Sequence, residues 1–149
     1  MPPSLRPLLI GMSLACGLAW LGGCARPPPE QALREAIAEL QAAVEARESA
    51  IFEERLAEDF IGPHGLDREG ARRTAQALYL RHREVGITLG PIDVVLQEGH
   101  ATVRFDAVLT GSSGAGLLPD SGQVYEVTTG WRLEDGEWRM TSAQWEPRL

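Results

Sequence analysis

The chain has 149 residues, 44% hydrophobic and 23% charged, the size and balance of one globular domain, which excludes collagen, coiled coil and outright disorder. All 14 basic residues are arginine, and 21 acids leave a net charge of −7, a surface that repels nucleic-acid phosphates and anionic headgroups alike. The two cysteines, Cys16 and Cys24, lie at the N-terminal end, so the rest of the chain has no thiol for a disulfide, a zinc knuckle or a cysteine nucleophile.

Residues 1–7 carry one arginine and no acid, and lead into the apolar run LLIGMSLACGLAW, which ends at Trp20. This is the charged-then-apolar order of a secretory signal, and the run is short of the about 20 residues that span a bilayer as helix. The next four residues, Leu21-Gly22-Gly23-Cys24, resemble the lipobox of bacterial lipoproteins, in which the cysteine accepts a diacylglyceryl group and becomes the new N-terminus. Cys16 lies inside the apolar run with Ser13, not leucine, three positions before it. The resemblance implies a signal peptide over residues 1–23, acylation of Cys24 and a lipid anchor, palmitate-type chains supplying the attachment that an acidic domain cannot. Ala25 rather than aspartate after the cysteine implies the outer membrane, with the domain in the periplasm. Residues 24–29, with Pro27-Pro28-Pro29, form a stiff tether that at about 3.1 Å per residue holds the domain ~15 Å from the anchor.

The domain is expected over residues 30–149. Leu33, Ile37, Leu40 and Val44 recur at helical spacing and predict an amphipathic helix over 30–47. Phe52 and Leu56, one turn apart, predict a second helix from Ser49 to about Glu58, stopped by Gly62-Pro63. Asp67 can cap a third, with Ala71, Ala75, Leu78 and His82 down one face and an end near Val85-Gly86.

After Gly86 the period becomes two, and four strands are expected: Ile87 to Gln97, His100 to Thr110, Gln123 to Glu134 and Glu137 to Glu146. Glu98-Gly99 and Asp135-Gly136 are two-residue turn signals. Setting Gln97 opposite His100 pairs Leu96/Ala101, Val94/Val103 and Ile92/Phe105 on one face and Asp93/Arg104 on the other, three signals for one register. Setting Glu134 opposite Glu137 pairs Leu133/Trp138, Trp131/Met140, Thr129/Ser142, Val127/Gln144 and Tyr125/Glu146. On that register the inner face turns polar away from the turn, which suits a pocket wall better than a closed core. Val95, Val124 and Trp145 then fall on the outer face as a candidate interface.

Three helices followed by a four-stranded antiparallel sheet, with the texts LAEDFIGPHGLDREGARR, ATVRFDAVLTG and GWRLEDGEWRMTSAQWEP, resemble the nuclear transport factor 2-like superfamily, including its polyketide cyclase-like and ketosteroid isomerase-like members. The resemblance covers about residues 31–147. It implies an α+β fold with the sheet curled into a cone, a cavity closed by the helices, and a homodimer through the outer sheet face. The same fold carries enzymes, binding proteins and assembly factors, so it assigns no activity.

The candidate pocket residues are Tyr79, His82, Tyr125, Thr129, Trp131, Ser142 and Gln144. An isomerase or dehydratase would use His82 or Tyr125 there with a carboxylate, but Asp93 and Asp106 fall on the outer face, and Asp59 is expected at a helix end. His82 reads more readily as a core-edge histidine than as a catalytic one, and Trp131 and Trp138 more readily as core filling than as a ligand clamp. No metal-ligand spacing, phosphate loop, dinucleotide fingerprint or nucleophile elbow occurs. The sequence therefore favours a non-catalytic lipoprotein, without cofactor, metal or nucleic acid, that holds a small amphipathic molecule or engages an envelope protein. A cavity enzyme and an envelope scaffold or inhibitor-type protein are the alternatives. The glycine-rich loop 111–122, with Leu117-Leu118, is long enough to serve a site.

Overall fold

The computed structural model describes residues 26–111 and 122–148; the leader, Cys24 and most of the glycine-rich loop lie outside the described residues. Helix α1 spans Pro29–Glu45, with proline at its first position, where no amide is needed. Leu33, Ala36, Ile37 and Ala43 are buried along it. It ends in a left-handed residue, Arg47, and the Glu48 amide closes back on the Ala43 carbonyl at 2.8 Å, an arginine standing where glycine is usual.

The second helix is shorter than expected. Helix α2 covers only Ile51–Arg55, and Leu56–Ile61 is a strand, β1, parallel to the C-terminal strand. Phe52 and Leu56 sit one turn apart, but over so short a stretch helical and extended patterns are not distinguishable. An open sheet edge with hydrogen bonds to offer decides the conformation. A 3₁₀ turn, Pro63–Gly65, leads to α3, Arg68–Arg81, capped as expected: the Gly70 amide donates to the Asp67 carboxylate at 2.6 Å. α3 stops short of Val85-Gly86, because His82 is already extended (φ −123°, ψ 130°).

The sheet has six strands, not four. Besides β1, the expected Ile87 to Gln97 strand is two, β2 (Gly86–Leu89) and β3 (Asp93–Gln97), both antiparallel to β4 (His100–Thr110). Leu89 pairs with Ala107 whereas Asp93 pairs with Arg104, so the Gly90-Pro91-Ile92 break shifts the register by one residue. That shift turns Ile87 inward beside Leu109. β5 (Val124–Glu134) and β6 (Glu137–Pro147) complete the order β1-β6-β5-β4-β2. The β3–β4 register is the expected one from Gln97/His100 to Asp93/Arg104.

The β5–β6 hairpin follows expectation only near its turn. Asp135 and Gly136 both take positive φ (50° and 84°), the backbone a two-residue hairpin turn requires, and Trp131 pairs with Met140. Beyond that, Gly130 pairs with Ser142, leaving Thr141 as an extra residue in a β-bulge. Gly130 provides the room: a Cβ there would lie 2.7 Å from Ser142 Oγ and 3.2 Å from Thr141 Oγ1. Every later pair moves by one, to Thr129/Ala143, Val127/Trp145 and Tyr125/Pro147. The β6 part of the inner face, packed under the helices, is thus apolar from Trp138 through Met140 and Ala143 to Trp145. Trp131, Trp138 and Val103, clustered with Leu33 of α1, form the tightest part of that face, each at most 3% exposed.

Candidate functional site

The inward faces of β4, β5 and β6 and the three helices line an apolar cavity of about 260 Å³. Its floor carries alanines, Ala107 and Ala143, beneath Ala71 and Ala75 of α3, and aromatic side chains, Phe52, Phe60, Phe105 and Trp145, stand around them. α1 contributes Leu40 and Val44, from its C-terminal half.

Four hydroxyl-bearing residues belong to the described lining: Thr74, Tyr79, Tyr125 and Thr129. Thr129, 2% exposed, is already used: the Trp131 indole Nε1–H donates to its Oγ1 at 2.8 Å, and that hydroxyl lies 3.5 Å from the Val103 carbonyl. Tyr125 is also engaged. Tyr79 differs. It is 6% exposed, and its hydroxyl is sealed from solvent with no partner among the described residues. Burial pushes its phenol above the usual value, against a smaller opposite pull from Arg47. An unpaired buried hydroxyl costs about 1–3 kcal/mol. Arg47 fixes the helix end that carries it, donating to the Tyr79 and Arg83 carbonyls.

Of the residues expected at the pocket, Tyr79, Tyr125 and Thr129 line the cavity. Trp131 does not; it is core, 2% exposed, and acts through Thr129. His82 is outside the lining, since α3 ends before it; its Nε2 is buried without a partner among the described residues. Ser142 and Gln144 are corrected by the bulge, which carries both to the outer face and brings Ala143 and Trp145 in. Trp145 is therefore a cavity wall and not an outer-face residue. Val95 and Val124 do lie outward, 57% and 39% exposed. Sequence reasoning missed Trp145, Phe105 and Phe60 as lining. Trp145 was one bulge away from being found, and the Gly130/Thr141-Ser142 juxtaposition is the signal that would have placed it.

The outer face near the turn holds a charged network. Asp59, on β1 and not at a helix end, accepts from Arg132 at 2.9 and 3.1 Å. Glu134 bridges Arg132 and Arg139, which explains how two facing arginines coexist. The Arg132 guanidinium holds the Asp59 carboxyl below its usual value. Among the described residues no group of three or more His, Cys, Asp or Glu side chains is placed to hold a metal, and no helix is long and apolar enough to cross a membrane.

No family model matches the chain, and no curated protein matches it in sequence. Its fold is similar to solved structures. A nuclear transport factor 2-like protein from Cytophaga hutchinsonii aligns with a TM-score of 0.68 and 14% identity, over 82% of this chain and all of that one. A protein from Novosphingobium aromaticivorans provisionally named a scytalone dehydratase aligns at 0.69 and 13%, over 80% and 84% of the two chains. A cystatin-like-fold protein from Caulobacter vibrioides gives 0.66 and 14%, over 80% and 89%. Identities this low show the fold alone.

Proposed function

We propose that this chain, with its nuclear transport factor 2-like fold, is a lipid-anchored envelope protein whose cavity binds a small, mainly apolar molecule without transforming it. The carrying observation is the 260 Å³ void itself, walled by alanine, aliphatic and aromatic side chains. Apolar concavity with a few polar groups is the general form of a small-molecule site. General acid–base work falls mostly to histidine and carboxylate side chains and less often to tyrosine, and the described lining supplies tyrosine and threonine hydroxyls but no carboxylate or imidazole. That weighs against the isomerase or dehydratase alternative, as does the position of His82 outside the lining.

The anchor reading rests on the lipobox-like residues ending at Cys24. The chain enters the domain beside the β5–β6 turn: the Trp138 indole donates to the Pro29 carbonyl at 3.0 Å, and the Arg26 guanidinium lies over Gly136. α1, about 25 Å long at 1.5 Å per residue, runs from that end to Leu40 and Val44 at the cavity. A tether at Cys24 would thus hold the hairpin turn toward the bilayer and the cavity end away from it.

The test is titration of the purified domain with a compact apolar probe, 1-tetralone, followed by quenching of tryptophan fluorescence, since Trp145 is a cavity wall. The wild type saturates, and Ala143→Leu, which fills the floor, loses binding while remaining folded. Equal binding by both proteins would place the probe elsewhere and sink the proposal.

A further inference from the structure

We infer that ligand enters this cavity at the C-terminal end of α3, and that Arg47 is the latch holding that entrance shut. The inference concerns access to the site proposed above and rests on that reading. Three observations carry it. First, the wall at that end is the thin one. The sheet side is closed by ladders running from β1 through β6, β5 and β4 to β2, and parting strands would break main-chain hydrogen bonds along their length. The helical side is different. α1 packs on α2, β2 and β6, and α3 on α2 and β1, so past α2 the two helices that supply Leu40, Val44, Leu78 and Tyr79 to the lining share no packing seam of their own. Between α3 and β2 the chain runs through residues 82–85, which belong to neither helix nor strand.

Second, one side chain spans this gap. Arg47, directly after α1, donates to the Tyr79 carbonyl in the last turn of α3 and, at 3.3 Å, to the Arg83 carbonyl in the 82–85 stretch. Carbonyls at a helix C-terminus lack intrahelical partners and form the negative end of the dipole, so a guanidinium suits them. The Gln76 amide, about one turn back along α3, donates to Ser49 Oγ at 3.2 Å and marks where a hinge would lie. Third, the helix stop does not call for an arginine. Arg47 has φ 64°, the left-handed turn in which glycine is usual, and the strain of an arginine there is offset only by what its side chain holds.

Arg47 is exposed and is not part of the described lining, so it acts on access and touches no ligand. Releasing it raises the open population of free and bound protein alike, which changes the speed of exchange and not the affinity.

The experiment is stopped-flow tryptophan quenching with 1-tetralone on wild type, Arg47→Gly and Arg47→Lys. Arg47→Gly keeps the helix stop and removes both bonds. Its association and dissociation rates are each expected to rise about tenfold, with Kd unchanged within twofold, and amide exchange over residues 79–83 of the unliganded protein to quicken. Arg47→Lys, with one point donor in place of a fork, falls between. Unchanged rates in Arg47→Gly with binding intact overturn the latch and leave the cavity reading standing. A changed Kd at an unchanged association rate overturns it too, since Arg47 would then act on the bound state, and unchanged amide exchange places the opening elsewhere. Failure of Arg47→Gly to fold also overturns it, because the clamp would be holding the domain together and not an entrance. If wild type does not bind 1-tetralone, both readings fall together.

Discussion

Replacing Thr129 with valine tests the account of the polar groups beside the cavity. The two side chains have nearly the same shape, so the substitution changes hydrogen bonding with little change in packing. Thr129 and Trp131 are each 2% exposed, and the indole Nε1–H reaches Thr129 Oγ1 at 2.8 Å. Valine leaves that N–H sealed in the core without an acceptor, a cost of about 1–3 kcal/mol, or roughly 3–6 °C of melting temperature per kcal/mol in a domain of this size. Trp131→Phe removes the donor instead, and pays for lost ring volume by itself. In the phenylalanine background Thr129→Val therefore costs little, and the double-mutant cycle shows a coupling of about 1–2 kcal/mol. Urea unfolding of the four proteins, followed by far-ultraviolet circular dichroism, measures it. If Thr129→Val costs the same in both backgrounds, or nothing in wild type, the bond does not hold the core as described. Ketone binding to Thr129→Val should match wild type, because that hydroxyl is already occupied.

Acid should weaken the outer-face network. Arg132 holds the Asp59 carboxyl below its usual value in the folded state. The contribution of the pair is therefore present above the unfolded pKa near 3.9 and vanishes as pH falls through the lower folded value. Urea midpoints measured from pH 6 to pH 2 should fall less steeply in Asp59→Asn than in wild type. Asp67→Ala removes the carboxylate that caps α3 at the Gly70 amide and should cost about 0.5–2 kcal/mol in the same unfolding assay, with Asp67→Ser recovering most of it. For the anchor, mass spectrometry of membrane-extracted protein should find a mature chain beginning at an acylated Cys24, and Cys24→Ser should abolish that species. A mature chain without fatty acid would remove the tether from the functional reading.

By itself the sequence determined the elements whose signals are local and redundant. α1 was readable from Leu33, Ile37, Leu40 and Val44, the start of α3 from Asp67, and the β3–β4 register from agreement among turn, apolar alternation and the Asp93/Arg104 pair. Tyr79 and Tyr125 could be named as lining because they fall on faces set by such local periods. Only the tertiary structure decided β1 and the bulge. Leu56–Ile61 became a strand because β6 had an open edge to pair with, information held 81 to 84 residues away, at Ser142 for Ile61 and Met140 for Leu56. In Ser142-Ala143-Gln144-Trp145 polar and apolar residues alternate, so a one-residue shift exchanges the whole polar set for the apolar one on the inner face. The missing Cβ of Gly130 and the burial gained by turning Trp145 inward select between them. That choice, made across strands, changed the pocket wall from serine and glutamine to alanine and tryptophan, and with it the kind of molecule the cavity accepts.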